Sequence, residues 1–292
     1  MKFPKIYLML SLLIPFGVHC QIHKGKPKAS FSKGTFFAYY GCNRSWYANS
    51  TINFTGPKYQ FSIKDVAGSD APLPFDPGQQ LNPLKATAGQ YNIRFGYYLK
   101  NHYSLSFGYD KLKYKVEDGD QILLTGNLNE ATNSFTNVKG SYMNEPVLID
   151  DKKFIYSNSG LNYVRIEFTR ADQWLAAGSR QQIILSSLAG IGAGALISDN
   201  SFLFAGKQEQ KIRSLSGFAA SVHLGVRLEF FKHVFIQSNF SGGWMGQSHV
   251  RTRANDPSAF ANQNLGYLQF DTNVGFLLYI RPTNNCNTCP VW

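Results

Sequence analysis

The sequence predicts an all-β protein, a closed antiparallel barrel of eight strands that spans a membrane, and three observations predict it. Segments that alternate apolar and polar residues recur eight times along the 292-residue chain, and the connections between them run long, short, long, short, long, short, long. Aromatic residues make up 15% of the chain, with 16 Tyr and 23 Phe, and many sit beside the short connections. Nothing reaches the roughly 18–20 apolar residues that a membrane helix needs. Ile183–Ser198 (IILSSLAGIGAGALIS) comes nearest, but it is short and rich in Gly and Ser. A chain with no such helix spans lipid only as a closed barrel, because hydrocarbon leaves an unpaired backbone group unsatisfied. A secreted soluble β-sandwich is the alternative these patterns leave open.

The chain opens with MKFPKIYLMLSLLIPFGVHC, residues 1–20. Lys2 and Lys5 form a basic start, Ile6–Phe16 an apolar run, and Val18 and Cys20 occupy the −3 and −1 positions of a cleavage site that leaves Gln21 first. This is the grammar of an export signal; a lipoprotein signal acylated at Cys20 is the rival reading. Residues 21–33, with Lys24, Lys26, Lys28 and Lys33, read as a basic arm suited to anionic headgroups. The barrel is expected over 34–281, and a short tail over 282–292.

The last strand, Tyr267–Ile280, is the cleanest. Leu268, Phe270, Thr272, Val274, Phe276, Leu278 and Ile280 share one face, and Tyr267, Gln269, Asp271, Asn273 and Gly275 the other. Period-2 alternation over this length exceeds the roughly 9–11 residues of a tilted membrane strand, so the apolar face is assigned to lipid and the polar face to the lumen. Gln90–Lys100 sends Tyr91, Ile93, Phe95, Tyr97 and Leu99 outward and Asn92, Arg94 and Gly96 inward. Tyr103–Val116 sends Leu105, Phe107 and Tyr109 outward and Ser104, Ser106, Gly108 and Asp110 inward. Gly160–Arg170, Phe218–Phe231 and Val234–Met245 follow the same rule, while Gly34–Tyr47 and Ser179–Ser198 follow it less cleanly.

The short links are Asn101-His102, Phe231–His233 and Ala171–Gly178. Tyr97, Tyr98, Tyr103, Trp174, Phe230, Phe231, Phe235 and Tyr279 cluster beside them as an interfacial aromatic belt. The long links, Ala48–Gly89, Glu117–Ser159, Asp199–Arg213 and Arg251–Asn264, are rich in Gly, Asn, Asp, Ser and Pro and read as exposed loops. Membrane strands inside Tyr59–Val66 or Gln121–Thr125 would raise the count to ten. An even count leaves both chain ends on the periplasmic side.

The formal charge is +11, or +9 once Lys2 and Lys5 leave with the signal. In an exported chain this favours lipid and lipopolysaccharide phosphates over nucleic acid. Lys207, Lys211, Arg213, Arg251 and Arg253, near two long loops, are the candidate contacts. The inward set Arg94, Asp110, Arg165, Glu167, His223, Arg227, Glu229 and Asp271 carries both signs and is expected to pair, since unpaired buried charge is costly. Two readings follow: a salt-bridge network that plugs the lumen, held by Arg94, Arg165 and Arg227, or a narrow polar conduit with water beside Gly96, Ser104, Ser106, Gly108, Ser221, Gly225 and Gly275. Cys286 and Cys289 form a CxxC in the tail, read as a local disulfide or loose thiols, with Cys42 left over. No cofactor or metal is expected. Ser248-His249 is the one nucleophile–base pair near a loop end, and strand geometry sends adjacent side chains to opposite faces.

Gly34–Val66, Pro72–Pro83 (PLPFDPGQQLNP) and Gln90–Tyr114 carry a resemblance to small eight-stranded outer-membrane barrels of Bacteroidetes-type bacteria. The plan is similar to the transmembrane domain of the outer-membrane protein A family and to OmpW-like barrels. The resemblance implies a monomer inserted from the periplasm by the barrel-assembly machinery. The function expected of the chain is that of a non-enzymatic envelope protein, structural or surface-interacting. The alternatives are a channel for small or hydrophobic solutes and, further off, a lipid A deacylase or acyltransferase.

Overall fold

The computed structural model describes residues 31–70, 89–129, 140–178 and 182–279. The export signal, the arm as far as residue 30, Pro72–Pro83, Ile280 and the Cys286–Cys289 tail lie outside the described residues. Thirteen strands and no α-helix occur among those described. They are β1 (Thr35–Tyr47), β2 (Ser50–Gly56), β3 (Tyr59–Val66), β4 (Gly68–Ser69), β5 (Tyr91–Lys100), β6 (Tyr103–Val116), β7 (Gln121–Leu128), β8 (Gly140–Leu148), β9 (Ile155–Ala177), β10 (Ile183–Phe204), β11 (Lys207–Phe230), β12 (Val234–Arg251) and β13 (Phe260–Tyr279).

Eight of these form an antiparallel ring in the order β1-β5-β6-β9-β10-β11-β12-β13. The ring returns on itself where β1 pairs with β13 along its whole length, from Thr35↔Tyr279 to Tyr47↔Tyr267. The partners of Asn162 run through Lys111, Tyr91, Cys42, Thr272, Ser238, Val226 and Ser187 to Asp172, ten residues further along β9. Ten residues of stagger over eight strands, at standard strand spacing and rise, tilts the strands by about 40° and gives a radius of about 8 Å.

The outward residues are those the alternation assigns to lipid. Phe95, Phe107, Ile166, Ile191, Phe218, Val222, Leu224, Phe240, Phe270, Val274 and Leu278 are all exposed, as an apolar surface around the ring. Part-way up each long strand the polarity of the two faces reverses. Below the reversal β6 turns Leu105 and Phe107 out and Ser104, Ser106 and Asp110 in; above it Lys111, Lys113 and Lys115 face out, and Leu112, Tyr114 and Val116 are buried inside. β13 reverses near Gly266, with Ala261 and Leu265 inside and Asn262 and Asn264 outside. The lower part is built for an apolar surrounding and the upper part for water.

That upper part corrects the expectation of exposed loops. β2, β3, β7 and β8 extend the sheet from the top of β13, where Phe260–Gln263 pair with Ile52–Thr55, and one face of this sheet closes the end of the ring. Ile52, Phe54, Phe61, Ile63, Ile122 and Leu124 from the extension pack with Phe154, Tyr156, Phe202, Phe204 and Met245 from the ring strands in one buried cluster. Burial pushes the Tyr59 phenol pKa up. Tyr59–Val66 and Gln121–Leu128 are therefore strands of the cap, and the ring count is eight rather than ten. The alternation test missed them as loops because both runs are short and surrounded by Gly, Asn and Asp. Asp199–Arg213 is likewise a strand hairpin turning at Ala205-Gly206, and Ala171–Ala177 continues β9.

Phe54 stacks on Phe61 at 4.9 Å and meets Tyr156 at 5.3 Å and Phe202 at 5.4 Å between ring centroids. Phe54→Ala is expected to cost about 3–5 kcal/mol of cap stability. Hydrogen exchange should accelerate in β2, β3, β7 and β8 while the amides of lower β10 and β11 stay protected; equal loss in both would mean that cap and ring unfold as one unit.

Candidate functional site

The interior is occupied in three layers, and the middle one is ionic. The register sets Arg94 opposite Gly108 and Gly108 opposite Arg165, so two arginines from β5 and β9 flank a glycine on β6. A Cβ on Gly108 would lie 1.6 Å from Arg94 Nη1, so the missing side chain is the space in which the guanidinium sits. Asp110 and Glu167 complete an alternating quartet. Arg94 Nη2 lies 3.1 Å from Asp110 and its Nε 2.9 Å from Glu167, while Arg165 Nη2 lies 3.0 Å from each carboxylate. Every charge touches two of opposite sign, and all four residues are buried. Charge-assisted bonds of this length offset the cost of taking four ions out of water, which a single pair seldom does. Tyr39 accepts from Arg94 Nε at 3.4 Å and Ser221 from Arg165 Nη1 at 3.2 Å. His223 sits beside the quartet, Nδ1 3.7 Å from Glu167 and Nε2 3.1 Å from the Thr169 hydroxyl.

Of the eight inward charges read from the sequence, the structure brings together these five. Asp271 belongs to an amide cluster, accepting from Asn239 at 2.7 Å and from Asn273, whose oxygen accepts from Asn92 at 2.6 Å. Arg227 lies in the third layer, towards the short-turn end. Its Nε donates to Gln237 at 2.8 Å and Nη1 to Tyr98 at 3.2 Å, and its guanidinium lies 4.2 Å from the Phe235 ring centroid and 5.2 Å from that of Phe37. Glu229 is fully buried two residues further along β11. Phe31, Phe37, Tyr39, Tyr98, Leu188, Phe235 and Leu277 close this end. Tyr98 and Phe235 are thus an internal plug rather than part of the outer belt, to which exposed Trp174 and Phe231 contribute. Their signal was parity: Tyr98 shares a face with Arg94 and Gly96, and Phe235 with Gln237.

The small inward residues make room for neighbouring side chains. A Cβ on Gly96 would strike the Phe37 ring and one on Gly275 the Phe235 ring. Ser106 donates to Glu167 at 3.5 Å and Ser104 to the Thr169 carbonyl at 3.4 Å.

The rim cations have structural work at the cap. Arg213 donates to Asp199 twice, at 2.7 and 3.2 Å. Arg253 donates to the carbonyls of Lys207 and Phe204 at 3.0 and 3.2 Å and lies over the Phe202 ring, and Arg251 donates to the Ala254 carbonyl at 2.5 Å. Lys207 and Lys211 are exposed near the tip of the β10–β11 hairpin. His249 stacks on Phe260 at 4.6 Å and Ser248 is exposed beside it, with no hydrogen bond joining the two. Among the described residues, no group of three or more His, Cys, Asp or Glu could hold a metal ion. An open polar hollow of about 460 Å³ lies where β2 meets β13, lined by Asn49, Ser50, Thr51, Asn53, Asp65, Asn262 and Asn264.

No protein-family model and no curated protein matches the sequence. Solved structures of outer-membrane proteins do align. The N-terminal β-barrel domain of Pseudomonas aeruginosa OprF is 11% identical with a TM-score of 0.30, covering 84% of this chain and 98% of that one. Ail, the attachment invasion locus protein of Yersinia pestis, is 12% identical with a TM-score of 0.30 and coverages of 84% and 99%. OprG of P. aeruginosa is 8% identical with a TM-score of 0.38 and coverages of 86% and 99%.

Arg94→Met leaves Asp110 and Glu167 sharing one arginine and is expected to cost about 3–5 kcal/mol. The double change Arg94→Met with Asp110→Leu removes one charge of each sign and should recover part of that loss. Urea titration of the refolded protein, read by gel mobility of the folded form, measures both; equal midpoints for single and double variants would dissolve the quartet as an energetic unit.

Proposed function

We propose that the chain is an integral outer-membrane β-barrel whose lumen is sealed, and that it serves the envelope as a non-enzymatic structural or surface-interacting protein. The single observation that carries this reading is the pairing of an apolar outer surface all around the ring with an interior crossed by the ionic quartet, the Arg227–Phe235 plug and the cap core. Exposed Phe, Leu, Ile and Val in such number would drive a water-soluble protein to aggregate, whereas a bilayer covers them. The short-turn end is assigned to the periplasm and the cap to the outside, as the lengths of the connections favour. The proposed state is a monomer, a reading supported by a ring whose eight strands all find partners within one chain. Lipid and lipopolysaccharide are its surroundings, and the barrel-assembly machinery its route of insertion. The likeness in plan to the outer-membrane protein A domain, to OmpW-like barrels and to Bacteroidetes-type relatives belongs to this proposal.

The filled layers speak against a conduit: the quartet, the Arg227–Phe235 plug and the cap core stand in series. Refolded protein is expected to run with a heat-modifiable mobility and to remain electrically silent in planar bilayers. Discrete, reproducible openings would overturn the sealed reading, and a protein that neither inserts into vesicles nor shifts on heating would overturn the membrane reading.

A further inference from the structure

One sector of the outer surface carries a vertical gradient that fits a specific lipid. On β1, β5, β6 and β9 the register aligns Ala38, Phe95, Phe107 and Ile166 in one row and Tyr40, Ile93, Tyr109 and Val164 in the next. Above these come Cys42, Tyr91, Lys111 and Asn162. Arg44 and Lys113 stand two residues higher on β1 and β6, beyond the start of β5. Climbing this face, the side chains pass from Phe and Ile to Tyr and then to Arg and Lys. The step falls where the two faces of β6 exchange polarity, the height at which an apolar surrounding gives way to water.

The tyrosines form a contiguous shelf. Ring centroids of Tyr40 and Tyr91 are 6.0 Å apart and those of Tyr91 and Tyr109 5.9 Å apart, and Lys111 Nζ lies 5.8 Å from the Tyr91 centroid. Arg44 and Lys113 stand about two strand widths apart, about 10 Å. Long side chains from both reach a group placed between them, and Lys111 rises from below. Of the surrounding acids, Asp199 and Asp151 are engaged elsewhere and Asp70 is paired with Arg44. Asp199 takes Arg213, Asp151 takes Lys115 at 2.5 Å, and Asp70 lies 3.7 Å from Arg44 while accepting from the Ser45 amide at 3.2 Å. Lys113 makes no ion pair among the described residues; it feels Lys111 and Arg44 as like charges and Asp70 as an opposite one. Arg44, Lys111 and Lys113 stand close together on the outer face with Asp70 ion-paired to Arg44 and also facing Lys113, so the group keeps a net positive charge suited to an anion.

We infer that Arg44, Lys111 and Lys113 form a binding site for the phosphate of an outer-leaflet phosphorylated glycolipid, whose acyl chains lie along the Tyr91–Tyr109 shelf and the Phe95–Phe107 surface below it. This rests on the membrane reading and names a lipid contact distinct from the cap-rim cations. A lipid rather than a soluble anion is the occupant because the charged spot is continuous, on its lower side, with the apolar surface. Charge-assisted contacts to the phosphate and chain burial against the rings act on the same molecule.

Native mass spectrometry of the refolded protein tests it, with diphosphoryl lipid A as one probe and the same lipid stripped of phosphate as the other. The wild type should retain the phosphorylated lipid about tenfold more strongly, a preference that weakens with salt. R44Q/K111Q/K113Q should lose about that tenfold preference, and K100Q/K232Q, at the short-turn end, should keep it. Equal retention of the two lipids by wild type would overturn the site, and this comparison needs no variant to fold. A triple variant that folds yet keeps the preference would overturn the residue assignment. Binding of inorganic phosphate alone with the same dependence on the three cations would overturn the lipid as occupant. Vesicle insertion and the heat-modifiable gel shift separate the two levels: a barrel that inserts but ignores phosphate sinks this inference alone, and one that fails to insert sinks both.

Discussion

A strand in hydrocarbon must hand each of its N–H and C=O groups to a neighbouring strand, because lipid offers no partner. The pairing of β1 with β13 meets that requirement for the two strands that would otherwise be edges, over every residue of β1. The rest of the molecule is organised by it. β13 continues past Tyr267, where β1 ends, and its upper residues Phe260–Gln263 are taken up by β2. The cap is therefore the continuation of the wall rather than a separate lid resting on it, and its core is continuous with the inner faces of β9, β10 and β12.

The ionic quartet does a different kind of work. Well-packed apolar side chains of similar volume often stabilise a protein as much as a buried ion pair does, so fold stability alone is a weak reason for two arginines and two acids at the centre of a narrow ring. Register is a better one. Slipping β5 by one residue against β6 would move Arg94 to the lipid face and bring Phe95 inside, beside Asp110. The quartet makes that alternative expensive at both ends of the slip. Arg227 over Phe235 and Phe37 adds a second constraint of the same sort between β11, β12 and β1.

The ring was legible in the sequence because two solvents write on it at once. Lipid selects every second residue of Tyr267–Tyr279 and the crowded lumen selects the others, so the period is unbroken. Inward parity also picked out Arg94, Asp110, Arg165 and Glu167, though it could not show that Asp271 bonds to amides instead or that Arg227 lies in another layer, since parity carries no height. The cap was illegible for the converse reason. Runs such as Tyr59–Val66 and Gln121–Leu128, at eight residues each, are shorter than the roughly 9–11 of a membrane strand, and they face water on one side and a core on the other. Their apolar positions carry the reversed sense, and a rule tuned to lipid-facing residues reads them as loop. The shelf of Tyr91 and Tyr109 beneath Lys111 was spread over two strands, and only the register joins it.

The sheet that closes the top ends at β8, whose far side meets no further strand among the described residues. Such an edge can recruit a second chain and so grow. β8 is shaped against this. Pro146 has no amide hydrogen to offer, Glu145 beside it places a charge on the strip, and Asn144 turns its backbone left-handed at φ 51°, where the β7–β8 register is interrupted. A ring that pairs its own edge strands has thus left one edge in its cap, and it is blunted there by backbone chemistry. Crowded copies can stand side by side without zipping their caps together.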